Sequence, residues 1–160
     1  MKQIFLVALL LTCSIGYSQK TIPNIDVTTL QGRSVKIQNE ISKDKITVLS
    51  FWATWCVPCI NELDAISDVY ADWQEETNVE IIAISIDDSR TQRRIRPLIN
   101  GKGWEYKVLI DKNQELKRAL NISVVPYTMV LKGNKILYKH TGYTPGAEDE
   151  LYEVIKKHSN

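Results

Sequence analysis

The feature that most limits the fold is a buried strand that leads into a helix through a pair of cysteines. Residues Ile46–Trp52 are apolar or β-branched except for Ser50, which predicts a strand covered on both faces. After Pro58, apolar residues recur at steps of three and four, which predicts an amphipathic helix to about residue 76. Its apolar positions are Ile60, Leu63, Ile66, Val69, Tyr70 and Trp73. The cysteines therefore lie where the predicted strand gives way to the helix.

The rest of the chain alternates between predicted strands and helices. Strands are predicted at 25–29, 34–37, 79–86, 106–110, 127–131 and 135–141, and helices at 88–102, between 111 and 120, and at 147–157. Pro97 predicts a kink or break in the first of these helices, and the polar segment 38–45 is predicted to be loop. This order predicts an α/β domain whose mixed central sheet is flanked by helices.

Length and composition agree with a single folded domain. The chain has 160 residues, of which 44% are hydrophobic and 24% charged, and this balance excludes a disordered chain or a protein with several membrane spans. Lys and Arg total 20 against 19 Asp and Glu, so the net charge of +1 lacks the basic excess typical of nucleic-acid binding. We therefore expect no nucleic-acid partner.

The first residues have the layout of a secretory signal peptide. Lys2 precedes an apolar run at 4–11, and Gly16 and Ser18 supply small residues at positions −3 and −1 of a cleavage site. We expect residues 1–18 to be removed and 19–160 to form the domain, in the periplasm or cell envelope, where disulfides form. The alternatives are an uncleaved anchor or a lipoprotein acylated at Cys13, and only these would attach the protein to the membrane.

The two remaining cysteines favour redox chemistry. Cys56 falls at the predicted helix start, where unpaired N–H groups and the helix dipole stabilise a thiolate. Cys59 lies one turn further on and is expected to be more shielded. A structural disulfide across four residues would contribute only about 2 kcal/mol. Zinc prefers four ligands, and only His140 and His158 could complete such a set.

The segment 51–59, Phe-Trp-Ala-Thr-Trp-Cys-Val-Pro-Cys, resembles the active site of the thioredoxin superfamily. Its closer resemblance is to the TlpA-like, ResA-type extracytoplasmic thiol-disulfide oxidoreductases. Glu62, three residues after Cys59, matches a glutamate of that family, and Val125-Pro126 followed by Tyr-Thr matches its Val-Pro-x-Thr element. The resemblance covers about 22–157 and implies a thioredoxin-like fold with an N-terminal β-hairpin and a helix inserted at 87–104.

The resemblance implies a role for each cysteine and for Glu62. Cys56 would be the attacking thiolate and Cys59 would resolve the mixed disulfide. Glu62 would tune the thiols or relay a proton, with an exposed first-turn carboxylate as the alternative. Ser50 occupies the position of a buried aspartate in thioredoxin, which leaves Glu62 or water to take the proton of Cys59.

The substrate side is implied in the same way. Trp55 would shape an apolar rim beside Cys56. Pro126 would be a cis-proline that faces the dithiol, and Val125 would offer backbone hydrogen bonds to the substrate chain.

The expected activity is thiol-disulfide exchange, in the direction of reducing protein disulfides, by a monomer without a cofactor. Its partners would be protein thiols or disulfides and a further redox protein. The alternative is a copper-binding assembly factor that uses Cys56, Cys59 and His140.

Overall fold

A computed structural model describes residues 21–159, which form one seven-stranded mixed sheet. The strand order is β2-β1-β5-β4-β3-β6-β7. The strands are β1 (Asp26–Thr29), β2 (Ser34–Lys36), β3 (Ile46–Trp52), β4 (Glu80–Ser85), β5 (Lys107–Ile110), β6 (Tyr127–Lys132) and β7 (Lys135–Thr141). The helices are α1 (Ile37–Glu40), α2 (Val57–Thr77), α3 (Ile95–Lys102), α4 (Glu115–Ala119) and α5 (Ala147–Ser159), with a 3-10 turn at Gln92–Arg94.

Strand β3 lies inside the sheet and is buried at every residue. It pairs in parallel with β4, and β4 pairs in parallel with β5, so the carboxyl ends of these three strands meet at one edge. Strand β6 runs antiparallel to β3 on its other side, and β7 extends the sheet. The start of β6 therefore lies at the same edge as the end of β3.

Helix α2 covers the central strands with one apolar stripe. Its buried residues include Leu63, Ile66 and Tyr70, which recur at the steps of three and four read from the sequence. Helix α5 packs beside it, and the rings of Trp73 and Tyr152 stack with centroids 5.1 Å apart. This contact with α5 helps to hold α2, the helix that follows β3, against the sheet.

The expected fold is confirmed, with two local corrections. The segment 38–45, expected to be loop, contains most of the single-turn helix α1, which buries Ile37 completely. Pro97 does not break a helix, because it is the third residue of α3 and lies in the first turn, where its missing N–H needs no partner. The change from 3-10 turn to α-helix lies before it, at Ile95.

The predicted signal peptide and Cys13 lie outside the described residues. Within 21–159, none of the helices has the length and apolar character needed to cross a membrane.

Candidate active site

The cysteine pair lies at the junction between β3 and α2. The N–H of Cys56 donates to the carbonyl of Ala53 at 3.0 Å, which closes a tight turn after the strand. Cys56 is the N-cap of α2 and Pro58 is the second residue of the helix, where it costs no hydrogen bond. The sulfurs of Cys56 and Cys59 are bonded to each other, with their Cα atoms 5.3 Å apart.

The two cysteines differ in exposure in the expected sense. Cys59 is 0% exposed, whereas Cys56 retains 5%. A substrate sulfur that approaches from solvent therefore reaches Cys56 first.

Three exposed apolar side chains lie on segments that meet at this edge of the sheet. Trp55 is 55% exposed in the loop before Cys56, in agreement with a position on the rim. Val57, the first residue of α2, and Val124, just before the Val-Pro element, are 66% and 54% exposed. The sequence reading missed both valines, because an apolar residue in a short loop does not reveal whether it packs inward or faces solvent.

The strand register brings the Val-Pro element to the same edge. Phe51 of β3 pairs with Tyr127 of β6. Pro126, the residue that precedes Tyr127, therefore lies beside the carboxyl end of β3. The Val125–Pro126 peptide bond is cis, as expected, and Pro126 is buried while Val125 is half-buried.

Glu62 is a buried carboxyl that α2 directs at the sheet. It is 3% exposed, so the alternative of an ordinary surface carboxylate is wrong. Thr128 donates its hydroxyl to one carboxylate oxygen at 2.9 Å, and Ser50 donates to the other at 3.3 Å. Ser50 stands where thioredoxin has a buried aspartate, so β3 itself supplies no carboxyl here. Helix α2 supplies one instead, because Glu62 contacts Ser50.

The surroundings of Glu62 favour its protonated form. Burial raises the pKa of Glu62 above its usual value, because the charged form is removed from water. The hydrogen bond from Thr128, the charge of His140 and the hydrogen bond from Ser50 act in the opposite direction and offset part of this rise. Glu62 is thus a group that can hold or release a proton beside the cysteines.

A second buried carboxylate, missed by the sequence reading, secures the loop before Cys56. Asp87 is 0% exposed and follows β4. It accepts from the N–H of Thr54 at 2.8 Å, from the Thr54 hydroxyl at 2.7 Å and from the Ser85 hydroxyl at 2.8 Å. Because 33 residues separate Asp87 from Thr54, no local pattern connects them. Its contacts fix the path of the chain from β3 to the cysteines.

The geometry does not support the metal-binding alternatives. Among residues 21–159, His, Cys, Asp and Glu do not come together in any group of three or more that could hold a metal ion. His140 lies on β7, opposite Thr128 of β6, and His158 lies in the last turn of α5. Neither the zinc set nor the copper set considered from the sequence is assembled.

The fold and site are those of a thioredoxin-like protein with a Cys-x-x-Cys pair, and comparison with known proteins defines the family. A family model for the AhpC/TSA family matches residues 18–140. The chain is 31% identical over 139 residues to the thiol-disulfide oxidoreductase ResA of Bacillus anthracis, covering 86% of this chain and 76% of the relative. It is 38% identical over 90 residues to ResA of Oceanobacillus iheyensis, covering 56% of this chain and 45% of the relative.

Solved structures show the same fold. An uncharacterized thioredoxin-like protein from Porphyromonas gingivalis superposes with a TM-score of 0.76 at 44% identity, covering 85% of this chain and 90% of the other. StoA from Bacillus subtilis superposes with a TM-score of 0.64 at 21% identity, covering 82% and 98%. The chain therefore belongs to the AhpC/TSA family and is a ResA-type thiol-disulfide oxidoreductase.

Removing the charge of Asp87 should loosen the active-site loop. In Asp87→Asn one acceptor oxygen becomes an N–H₂ donor that faces other donors, so we expect the free energy of unfolding to fall by about 2–3 kcal/mol. Urea unfolding measures this loss. Asp88→Asn is the matched control. The Asp88 side chain accepts from the exposed guanidinium of Arg90 and, through Oδ1, from the Arg90 N–H, a bond that the asparagine oxygen can keep, so stability should change by less than about 0.5 kcal/mol. Equal effects of the two substitutions would contradict the assigned role of Asp87.

The raised pKa of Glu62 should make the stability of the oxidised protein depend on pH. Below the pKa of Glu62 in the unfolded chain, both states carry the proton and burial has no charge to penalise. As the pH rises through the unfolded and then the folded pKa, wild type should lose stability relative to Glu62→Gln, by about 1.4 kcal/mol per unit of pKa difference.

Urea unfolding of both oxidised proteins between pH 4 and pH 8 tests this expectation. Glu75→Gln, which changes an exposed carboxylate of the same helix, should follow wild type throughout. A stability difference between wild type and Glu62→Gln that stays constant over this range would show that burial does not penalise the charge.

Proposed function

We propose that this protein reduces disulfides of other proteins outside the cytoplasm. The observation that carries the proposal is the position of the Cys56–Cys59 pair, at a helix start between a solvent-exposed apolar rim and the buried carboxyl of Glu62. The rim suits a polypeptide substrate, and the carboxyl suits a proton transfer that the reaction requires.

Cys56 begins the exchange. Its thiolate attacks one sulfur of the substrate disulfide, which forms a bond between Cys56 and the substrate and expels the second substrate sulfur as a thiolate. The small residual exposure of Cys56 and its place at the helix N-terminus support this assignment.

Cys59 completes the exchange. Its thiol transfers a proton to Glu62 and its sulfur then attacks the sulfur of Cys56, which forms the Cys56–Cys59 bond and releases the other substrate thiolate. Two electrons thereby pass from the dithiol to the substrate. A partner protein that carries a dithiol must reduce the pair again before the next turnover.

The substrate chain is proposed to lie across the edge where the two segments meet. Trp55, Val57 and Val124 would contact its apolar side chains, and the backbone of Val125 beside Pro126 would pair with its main chain. This form of recognition reads main chain and apolar surface and therefore suits several protein substrates.

The reducing direction is supported by the burial of Cys59. Burial disfavours the charged thiolate of Cys59, and the Glu62 carboxyl adds like-charge repulsion whenever it is ionised. A dithiol whose reduced form gains no stabilisation from its surroundings is a stronger reductant than one whose thiolate is stabilised.

The proposed roles of the cysteines predict which variant traps a substrate. Cys59→Ser should accumulate a mixed disulfide through Cys56, because the resolving sulfur is missing, while Cys56→Ser should accumulate none. Incubation with a peptide disulfide, followed by mass spectrometry with and without dithiothreitol, measures the adduct. Trapping through Cys59 in the Cys56→Ser protein would reverse the assignment.

The extracytoplasmic location rests on the sequence of 1–18. The exported protein is expected to begin at or near Gln19, which the mass of the N-terminal peptide from a periplasmic or envelope fraction determines. A membrane-bound chain that still begins with Met1 would contradict cleavage, and an acylated Cys13 would replace it with lipid anchoring.

A further inference from the structure

A row of polar residues crosses three strands beneath Glu62. Ser50 of β3 lies opposite Thr128 of β6, and Thr128 lies opposite His140 of β7. Residues directly opposite each other in antiparallel strands project from the same face of a sheet. Since Ser50 and Thr128 both donate to Glu62, His140 also lies on the face that carries this carboxyl.

His140 has an unusual environment for a residue on an edge strand. Its side chain is half-buried, yet the Nε2 atom is buried and has no hydrogen-bond partner within residues 21–159. The ring stacks on Tyr138, with centroids 6.5 Å apart and planes 6° from parallel. A buried nitrogen without a partner is destabilising, and attraction to a nearby negative charge can offset that loss.

We propose that His140 is a positioning residue for thiol-disulfide exchange that acts through Glu62. Positive charge at His140 favours the ionised form of the Glu62 carboxyl, which can then accept the proton of Cys59. The inference rests on the proposed function, in which Glu62 is that acceptor.

The other charged and titratable groups of this region oppose His140 or are neutral. Glu148, at the start of α5, raises the pKa of Glu62 by like charge and accepts a hydrogen bond from the Tyr143 hydroxyl at 3.0 Å. Glu150 of α5 accepts a hydrogen bond from the Tyr138 hydroxyl at 3.2 Å. Lys139, the neighbour of His140 on β7, projects from the opposite face because side chains alternate along a strand. Among residues 21–159, His140 is the group named above that can bring positive charge to Glu62.

Positive charge on this face lowers the pKa of Glu62 and so acts against the rise that burial causes. It keeps the carboxylate of Glu62 available at lower pH than burial alone would permit.

Single-turnover reduction of Ellman's reagent by the reduced protein separates the two cysteine steps. The first thionitrobenzoate leaves when Cys56 attacks, and the second leaves when Cys59 attacks the Cys56 mixed disulfide. In wild type the rate of the second release should rise with pH as Glu62 ionises. Glu62→Gln should remove that rise.

Two substitutions of opposite charge test His140. His140→Gln, which is always neutral, should move the rise to higher pH by about one unit, a roughly tenfold slower second release on its flank. His140→Lys, which is always positive, should move it to lower pH. Opposite shifts from the two variants cannot arise from general unfolding. His158→Gln removes the other histidine of the chain, far along α5, and should leave the profile unchanged.

Combining the substitutions distinguishes the inference from the function on which it rests. In the Glu62→Gln background, His140→Gln should have no further effect. If Glu62→Gln alone leaves the profile unchanged, the proposed role of Glu62 fails, and the inference fails with it. If Glu62→Gln removes the rise but the two His140 variants shift it equally or not at all, only the inference fails. An equal shift by His140→Gln in both backgrounds would mean that His140 acts directly on the cysteines, which also overturns it.

Discussion

The site is built on the junction between a strand that is buried along its whole length and the helix that follows it. Strand β3 ends at Trp52 at the carboxyl edge of the parallel strands, and α2 must begin within a few residues to cover the sheet. The two cysteines at this junction are therefore held by elements of the core. Asp87 ties the connecting loop to β4, so the position of Cys56 is set from both sides. Cys56 meets solvent at this edge of the sheet, whereas Cys59 is completely buried behind it.

The same packing explains why a carboxyl can be buried beside the dithiol. Removing Glu62 from water disfavours its charged form, and hydroxyls from β3 and β6 compensate only in part. The pKa of Glu62 is therefore closer to neutral pH than that of a surface glutamate, and a group that transfers protons works best when its pKa lies near the pH of the reaction. Stability and chemistry are coupled here, because the environment that raises the pKa of Glu62 is also the contact between helix and sheet.

Much of the fold follows from patterns that are local in the sequence. The apolar run of β3, the three-and-four periodicity of α2 and the Cys-x-x-Cys spacing are each visible within a few turns of chain. The helix α1 was missed because its polar residues carry no periodicity, and it forms around the burial of Ile37. The hydroxyl partners of Glu62 and the contacts of Asp87 could not be predicted for another reason: they depend on strand register, and the Thr128–Glu62 and Thr54–Asp87 pairs lie 33 or more residues apart. Pairing of β3 with β6 decides that Ser50 and Thr128 meet one carboxyl, and no local signal encodes that pairing.

We propose that the Cys56–Cys59 pair, with Glu62 beneath it, is a reducing dithiol. Equilibration of the protein with glutathione or dithiothreitol buffers at pH 7, followed by mass spectrometry of the alkylated thiols, measures its reduction potential. We expect a single two-electron transition at or below about −200 mV, in the range of reducing thioredoxin-fold proteins. A potential near −120 mV, typical of a strong oxidant, or a pair that does not exchange with either buffer, would contradict it.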